Sequence, residues 1–415
     1  MKTQMRKGRR LTGALLVIAL TLLSASVAPA QTTSTTTSTT TTKQVAATDS
    51  TAVTSVGLDA GVTSMAGDSN GNVYASLQFS NKVVKLNGAG TVIGTFTVGR
   101  NPTGLIVDNT NGLLYVLNNA DNTVSKMRLD GTPVATFNVA GDGPVHAALF
   151  SGVLYVACER SGTLVRLGAA DGAALGSTKV GARPVWVVVG ITQTRYKTSY
   201  SGGGELMLSD TAATSDSMAS EPTISEEGTD PGTQEGEPTT VDASTMEGYE
   251  SDAMTAESSE MMMSADGSRT TYKTVNTVNI YVSCNKANQV WKLSNSGGVV
   301  GQFATGRGPF GMALNSRGEV LVACFWDGVV MRLSGAGAVL SRTAVGDGPA
   351  GMIPYGGTNV AVVSNGANTV TRLSVADGTF ISRDLVDRSP LIGAATPSAL
   401  WIACTGTGTI AKRAL

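Results

Sequence analysis

A forty-residue period runs through this chain and limits what it can fold into more than any other feature. Pro102, Pro144, Pro184, Pro309, Pro349 and Pro390 each close a short turn bearing glycine or serine, at spacings of 42, 40, 125, 40 and 41 residues. Val62 holds the same place 40 residues before Pro102. A basic series keeps step with the first: Lys85, Lys126, Arg166, Lys292, Arg332, Arg372 and Lys412 lie 41, 40, 126, 40, 40 and 40 residues apart. Both series count seven units, the fourth enlarged by about 85 residues. Each unit reads as four short strands. In the second they are roughly TGLIVD, LLYVLN, NTVSKM and PVATFNV, with turns at Asn111-Gly112 and Asp130-Gly131. Alternating apolar positions around Asn-Gly and Asp-Gly turns signal antiparallel hairpins. Four-stranded units repeated at this interval bury their faces only by stacking on one another, which is the arrangement of a β-propeller.

The expected fold is therefore all-β, a seven-bladed β-propeller of four-stranded antiparallel blades. Its 50 glycines, 41% hydrophobic and 15% charged residues suit blades packed on both faces. The same composition excludes a coiled coil, which needs many charged helix formers, and collagen, which needs a strict triplet glycine. The seventh unit supplies LIGAAT, ALWIAC and TIAKR and then stops at Leu415, one strand short. Residues 51–58, TAVTSVGL, sit 40 residues before the fourth strand of unit one. They are expected to complete blade seven, closing the ring and removing an exposed sheet edge.

LYVLNNADNTVSKM (114–127), IYVSCNKANQVWKL (280–293) and GPFGMALNSRGEVLVA (308–323) resemble the YVTN/NHL class of propeller repeats, over residues 51–415 except the insertion. The resemblance implies architecture more than activity, because the class includes binding modules, sensor domains and a few metal-dependent enzymes. The Gly-His and Trp-Asp signatures of WD repeats are absent from the sequence.

Five basic residues precede the 13-residue apolar run Leu11–Leu23, and Ala28-Pro29-Ala30 follows. A basic region, a short apolar core and an A-x-A site make residues 1–30 a secretory signal peptide, too short in its apolar run to span a bilayer. An exported protein, periplasmic or secreted, is expected, with no membrane span once the signal is cleaved. Residues 31–50 begin with an almost pure Thr/Ser tract and read as a linker.

Residues 201–268 interrupt blade four with 16 of the chain's 31 Asp/Glu, seven of its 14 methionines and no Lys or Arg. Such composition predicts a disordered acidic insertion. Its flanks, TQTRYKTSY and RTTYKTVNTV, alternate in a way that suits a β-ribbon leaving the blade. The carboxylates and methionine sulfurs lack the spacing of a calcium or copper site. The near-zero net charge is a cancellation. Without the signal and the insertion, 25 Lys/Arg face 15 Asp/Glu, so a basic propeller carries an acidic loop. The loop is thus a candidate competitor for a basic surface.

The one histidine, His146, opens the inner strand of blade three at the mouth of the central channel, and Trp186 occupies the matching place in blade four. A metalloenzyme needs several converging ligands, and the inner strands offer few. GRGPFG and GDGPAG match a dinucleotide fingerprint literally, but proline and a strand follow where a helix N-terminus is required. Cys158, Cys284, Cys324 and Cys404 share one position late in the second strand, too far apart from blade to blade to bridge. The seven aligned third-strand cations are assigned a structural role, snorkelling to the blade rim.

The remaining signal lies in loops between blades and between second and third strands, which share one face. Arg100, Arg160, Arg183, Lys286, Arg307, Phe325 and Trp326 fall there with Phe79 and Asn119, and Phe310 and Trp186 lie near the same rim. Arginine beside exposed aromatics suits a protein partner or an anionic or glycan ligand. The expected function is a monomeric, non-catalytic recognition or scaffold module that needs no cofactor and binds no nucleic acid. The alternative is a hydrolase or lyase working in the channel around His146.

Overall fold

The computed structural model describes residues 61–200, 206–208, 213–214, 258–263 and 269–415. The described chain forms seven antiparallel sheets arranged as blades around a ring, with no helix among the described residues. Each blade meanders outward from an inner strand. In blade two the order is Pro102–Asp108, Leu113–Asn118, Thr123–Arg128 and Pro133–Asn138. The inner strand of every blade touches that of the next, and the last, Pro390–Thr396, touches the first, Val62–Gly67. Blade seven has three described strands. The segment 51–58 assigned to its fourth lies outside the described residues, as do the signal peptide and the linker.

Burial follows strand position. The second strands are buried almost throughout, as in Val73–Leu77 and Ala399–Cys404, because sheets flank them on both faces. The outer strands are mostly exposed, with half-buried residues at alternate positions in blades one, four, five and six. Inner strands approach so closely that a side chain often has no room. A Cβ at Gly104 would stand 3.0 Å from Val145 O, and one at Gly351 3.0 Å from Leu391 O, each on the next blade.

Blade four carries the insertion as anticipated. Its first two strands are lengthened to Pro184–Tyr200 and Arg269–Cys284, and they pair without interruption from Trp186↔Ser283 to Tyr200↔Arg269. This is the ribbon that the flanks suggested. Within the insertion, Leu206–Leu208 and Ala213–Thr214 pair along one edge and Ser258–Met263 along the other. An open two-stranded ribbon offers unpaired edges, and these stretches cover part of them. Elsewhere the expectation of disorder falls outside the described residues.

The aligned cations hold the ring together. Each reaches a carbonyl at or just after the end of the third strand of the following blade: Lys85 donates to Leu129 O (3.0 Å), Lys126 to Ala169 O (2.9 Å) and Arg166 to Asn295 O (2.9 Å). Lys292 reaches Gly335 O (3.0 Å), Arg332 Ala376 O (3.2 Å) and Arg372 Ala414 O (2.9 Å). Lys412 closes the circle on Gly88 O at 2.6 Å, 324 residues earlier in the chain. The partners that sequence reading missed are the tyrosines beneath. Tyr74 Oη donates to the carbonyl that Lys85 uses, and Tyr115 Oη to the one that Lys126 uses. Tyr74, Tyr115, Tyr155 and Tyr281 recur with the same period, so the signal was present in the chain.

Candidate functional site

The inner strands of blades three, four and five bring three rings together at one mouth of the channel. His146 stacks on Trp186 with centroids 4.0 Å apart and planes 21° from parallel, and Phe310 tilts against Trp186 at 6.3 Å. His146 and Trp186 stand where Gly104, Gly311 and Gly351 allow the closest backbone approach in other blades. Trp186 is buried, whereas His146 and Phe310 are half-buried.

His146 has a definite local task. Its Nδ1 accepts a hydrogen bond from the backbone N–H of Val187 in the next blade (3.3 Å). Ser64, at the corresponding position of blade one, accepts in the same way from Leu105 N–H (3.1 Å). The bond leaves the ring proton on Nε2, and burial lowers the imidazole to about 3. A neutral ring with Nδ1 engaged retains one donor and no open lone pair. Among the described residues, no group of three or more His, Cys, Asp or Glu is placed to hold a metal ion.

Four of the loop arginines have carboxylate partners. Arg100 meets Asp121 at 2.5 Å, Arg160 Asp142 at 2.8 Å, Arg183 Glu159 at 3.4 Å and Arg307 Asp327 at 2.7 Å. The backbone N–H groups of Arg100 and Arg307 also donate to Asp121 and Asp327, and these bonds, more than the opposite charge, hold both carboxyls below their usual range. Arg160 extends further, donating to Asn119 Oδ1 (2.6 Å) and Asn119 O (2.8 Å). Glu159 is buried, and burial raises its carboxyl while the Arg183 guanidinium pulls the other way. Lys286 is exposed on the same face.

Seven cations staple blades through carbonyls and four loop arginines sit in ion pairs. Beside these charges the face presents aromatic surface. Phe325 and Trp326 pack edge to face at 4.8 Å, with Trp326 56% exposed, and Phe79 of blade one is 74% exposed. Arg307 supports the tryptophan from below by donating to Trp326 O (3.3 Å). The four cysteines are free and buried, as their spacing implied. Burial pushes the thiols of Cys158 and Cys284 up to about 12, and those of Cys324 and Cys404 to about 11.

No protein-family model matches the chain, and no curated protein sequence does. Solved propellers do. Virginiamycin B lyase from Staphylococcus aureus superposes with a TM-score of 0.56 at 11% identity, covering 86% of this chain and 96% of that one. Hydrazine synthase from Kuenenia stuttgartiensis gives 0.57 at 14% identity, covering 87% and 97%. The WD40 propeller domain of Doa1 gives 0.56 at 10% identity, covering 86% and 93%. Two enzymes and a WD40 domain at such identities share the fold alone.

Proposed function

We propose that this chain is an exported, non-catalytic recognition module of the YVTN/NHL type, binding a protein or glycan on the face that carries Phe325 and Trp326. The observation that carries the reading is the pairing of the loop arginines. With Arg100, Arg160, Arg183 and Arg307 neutralised by neighbouring carboxylates, the face offers aromatic surface rimmed by ordered polar groups. Exposed tryptophan in such a frame suits a partner's apolar side chain or a sugar ring better than a polyanion. Blades four and five are the centre of this surface, with Phe310, Trp186 and His146 forming its inner wall. The rival channel enzyme is disfavoured by the engaged Nδ1 of His146. Signal-directed export, to the periplasm or beyond, and a monomeric state belong to the same proposal.

The test presents the purified chain to a glycan array and to cross-linking in an exported-protein fraction, beside Trp326→Ala. An interfacial tryptophan is worth about 2 kcal/mol or more, so the variant should lose roughly thirtyfold in affinity. Equal retention by both forms overturns the site. Turnover that His146→Ser abolishes would overturn the non-catalytic reading.

A further inference from the structure

One repeated loop position carries the same side chain in blades two and four but meets different neighbours. The loop after the second strand begins with Asn119 in blade two and with Asn285 in blade four. Both amides donate to the carbonyl that opens the next inner strand, Asn119 Nδ2 to Pro144 O (3.1 Å) and Asn285 Nδ2 to Pro309 O (3.3 Å). Because only the NH2 end of the amide can donate, this bond turns each Oδ1 away from that carbonyl. In blade two the oxygen is taken: Asn119 Oδ1 accepts from Arg160 Nη1 (2.6 Å) and from Asn101 Nδ2 (3.3 Å). Around Asn285 both donors are replaced. Trp326 stands at the place of Arg160, and Arg183, at the place of Asn101, turns to Glu159.

Asn285 Oδ1 therefore accepts from no group among the described residues, and the half-buried side chain leaves it open to solvent. It opens beside an indole. A Cβ at Gly308 would stand 2.6 Å from Trp326 Cδ1 and 3.4 Å from Asn285 Nδ2, so ring and amide meet over the same glycine. Trp326 is 56% exposed, with Phe325 set edge-on against it. The next residue, Lys286, is exposed, and of the loop cations it alone has no carboxylate partner among the described residues. An apolar side chain laid on Trp326 would leave the amide oxygen and the ammonium unused. A neutral sugar would leave the ammonium. A sugar carrying one carboxylate uses all three, with C–H groups for the ring, a hydroxyl for the oxygen and a charge for the lysine.

We propose that this corner between blades four and five binds a terminal uronic acid of a glycan. Its ring lies on Trp326, one hydroxyl donates to Asn285 Oδ1 and the carboxylate pairs with Lys286. The inference rests on the recognition role proposed above and names the ligand class for it.

The experiment titrates the full chain with methyl β-D-glucuronide and methyl β-D-glucoside, which differ only in the carboxylate, by calorimetry and saturation-transfer NMR at low salt. The glucuronide should bind saturably and about fivefold more tightly than the glucoside, a margin that shrinks as salt is raised. Lys286→Gln, at an exposed position, should bring the two sugars to equal affinity. Asn285→Thr copies blade seven, where Thr405 Oγ1 donates to Ser389 O (2.9 Å), and should weaken both sugars about fivefold while keeping the preference. No saturable binding of the glucuronide, equal affinity for both sugars, or a preference that survives Lys286→Gln overturns the uronate site and leaves the recognition reading standing. Glucuronide binding undiminished in Trp326→Ala overturns both.

Discussion

Lys126 offers the sharpest test of how the blades are held together. Its ammonium donates to Ala169 O at 2.9 Å and Ala170 O at 2.7 Å, and lies 5.8 Å from the Tyr115 ring and 5.7 Å from the Phe137 ring. Lys126→Met keeps the packing of the stem and deletes the charge. Hydrogen bonds from charged donors contribute about 1.5–3 kcal/mol each, and release of the buried ammonium from its desolvation offsets part of that loss. Ala170 is exposed, so its carbonyl recovers water, whereas buried Ala169 O keeps the Tyr115 hydroxyl at 3.0 Å. The single variant should therefore lose about 2 kcal/mol. Tyr115→Phe alone should lose about 1 kcal/mol, because the ammonium remains on the shared carbonyl. Together they strand that buried carbonyl, and the double variant should exceed the sum of the singles by about 1–2 kcal/mol. Urea denaturation of the four proteins measures the cycle through the shift in midpoint at constant slope. Losses that add within about 0.5 kcal/mol would refute the shared-acceptor clamp.

Three other outcomes follow from the same geometry. His146 is depressed from 6.5 to about 3 in the folded protein, so its contribution is present above pH 6.5 and is lost as pH falls toward 3. The stability difference between wild type and His146→Ser should shrink by on the order of 2–3 kcal/mol between pH 7 and pH 4, and a constant difference in urea midpoints would contradict it. The four thiols, raised from 9 to about 11–12, should resist alkylation in the native state and all react in denaturant, with stability falling as pH rises through the window from 9 to 12. Intact mass after non-reducing denaturation and labelling checks this, and fewer than four adducts would contradict free cysteines. Gly311→Ala places a Cβ against Ala350 O of the next inner strand and should cost about 1–3 kcal/mol, read as a lowered melting temperature. An unchanged melt would show that the inner strands separate freely.

The candidate site was legible as a location more than as chemistry. His146 and Trp186 fell at one place in successive units, with Phe310 beside that place in the next, and the structure stacks the first two and tilts Phe310 against Trp186. The loop arginines were also named as candidates. Their acid partners were not foreseen, because Asp121, Asp142, Glu159 and Asp327 lie 18 to 24 residues from the arginines they meet, on separate loops. The ion pairs leave the net excess of basic residues unchanged and fix where four of the arginines point.

The sequence alone determined the units. A forty-residue recurrence of proline turns, strand pairs and cations requires seven copies of one meander, because every copy repeats the same local pattern. Tertiary structure alone decided what happens between copies. Strand order within a blade is written in adjacent residues, but the partner of Lys412 is Gly88, and the acceptor for the Val187 amide is His146. Those meetings depend on how closely neighbouring inner strands approach and on which side chain fills each gap. A glycine, a serine or a histidine at one repeated position is compatible with the same blade and gives a different interface.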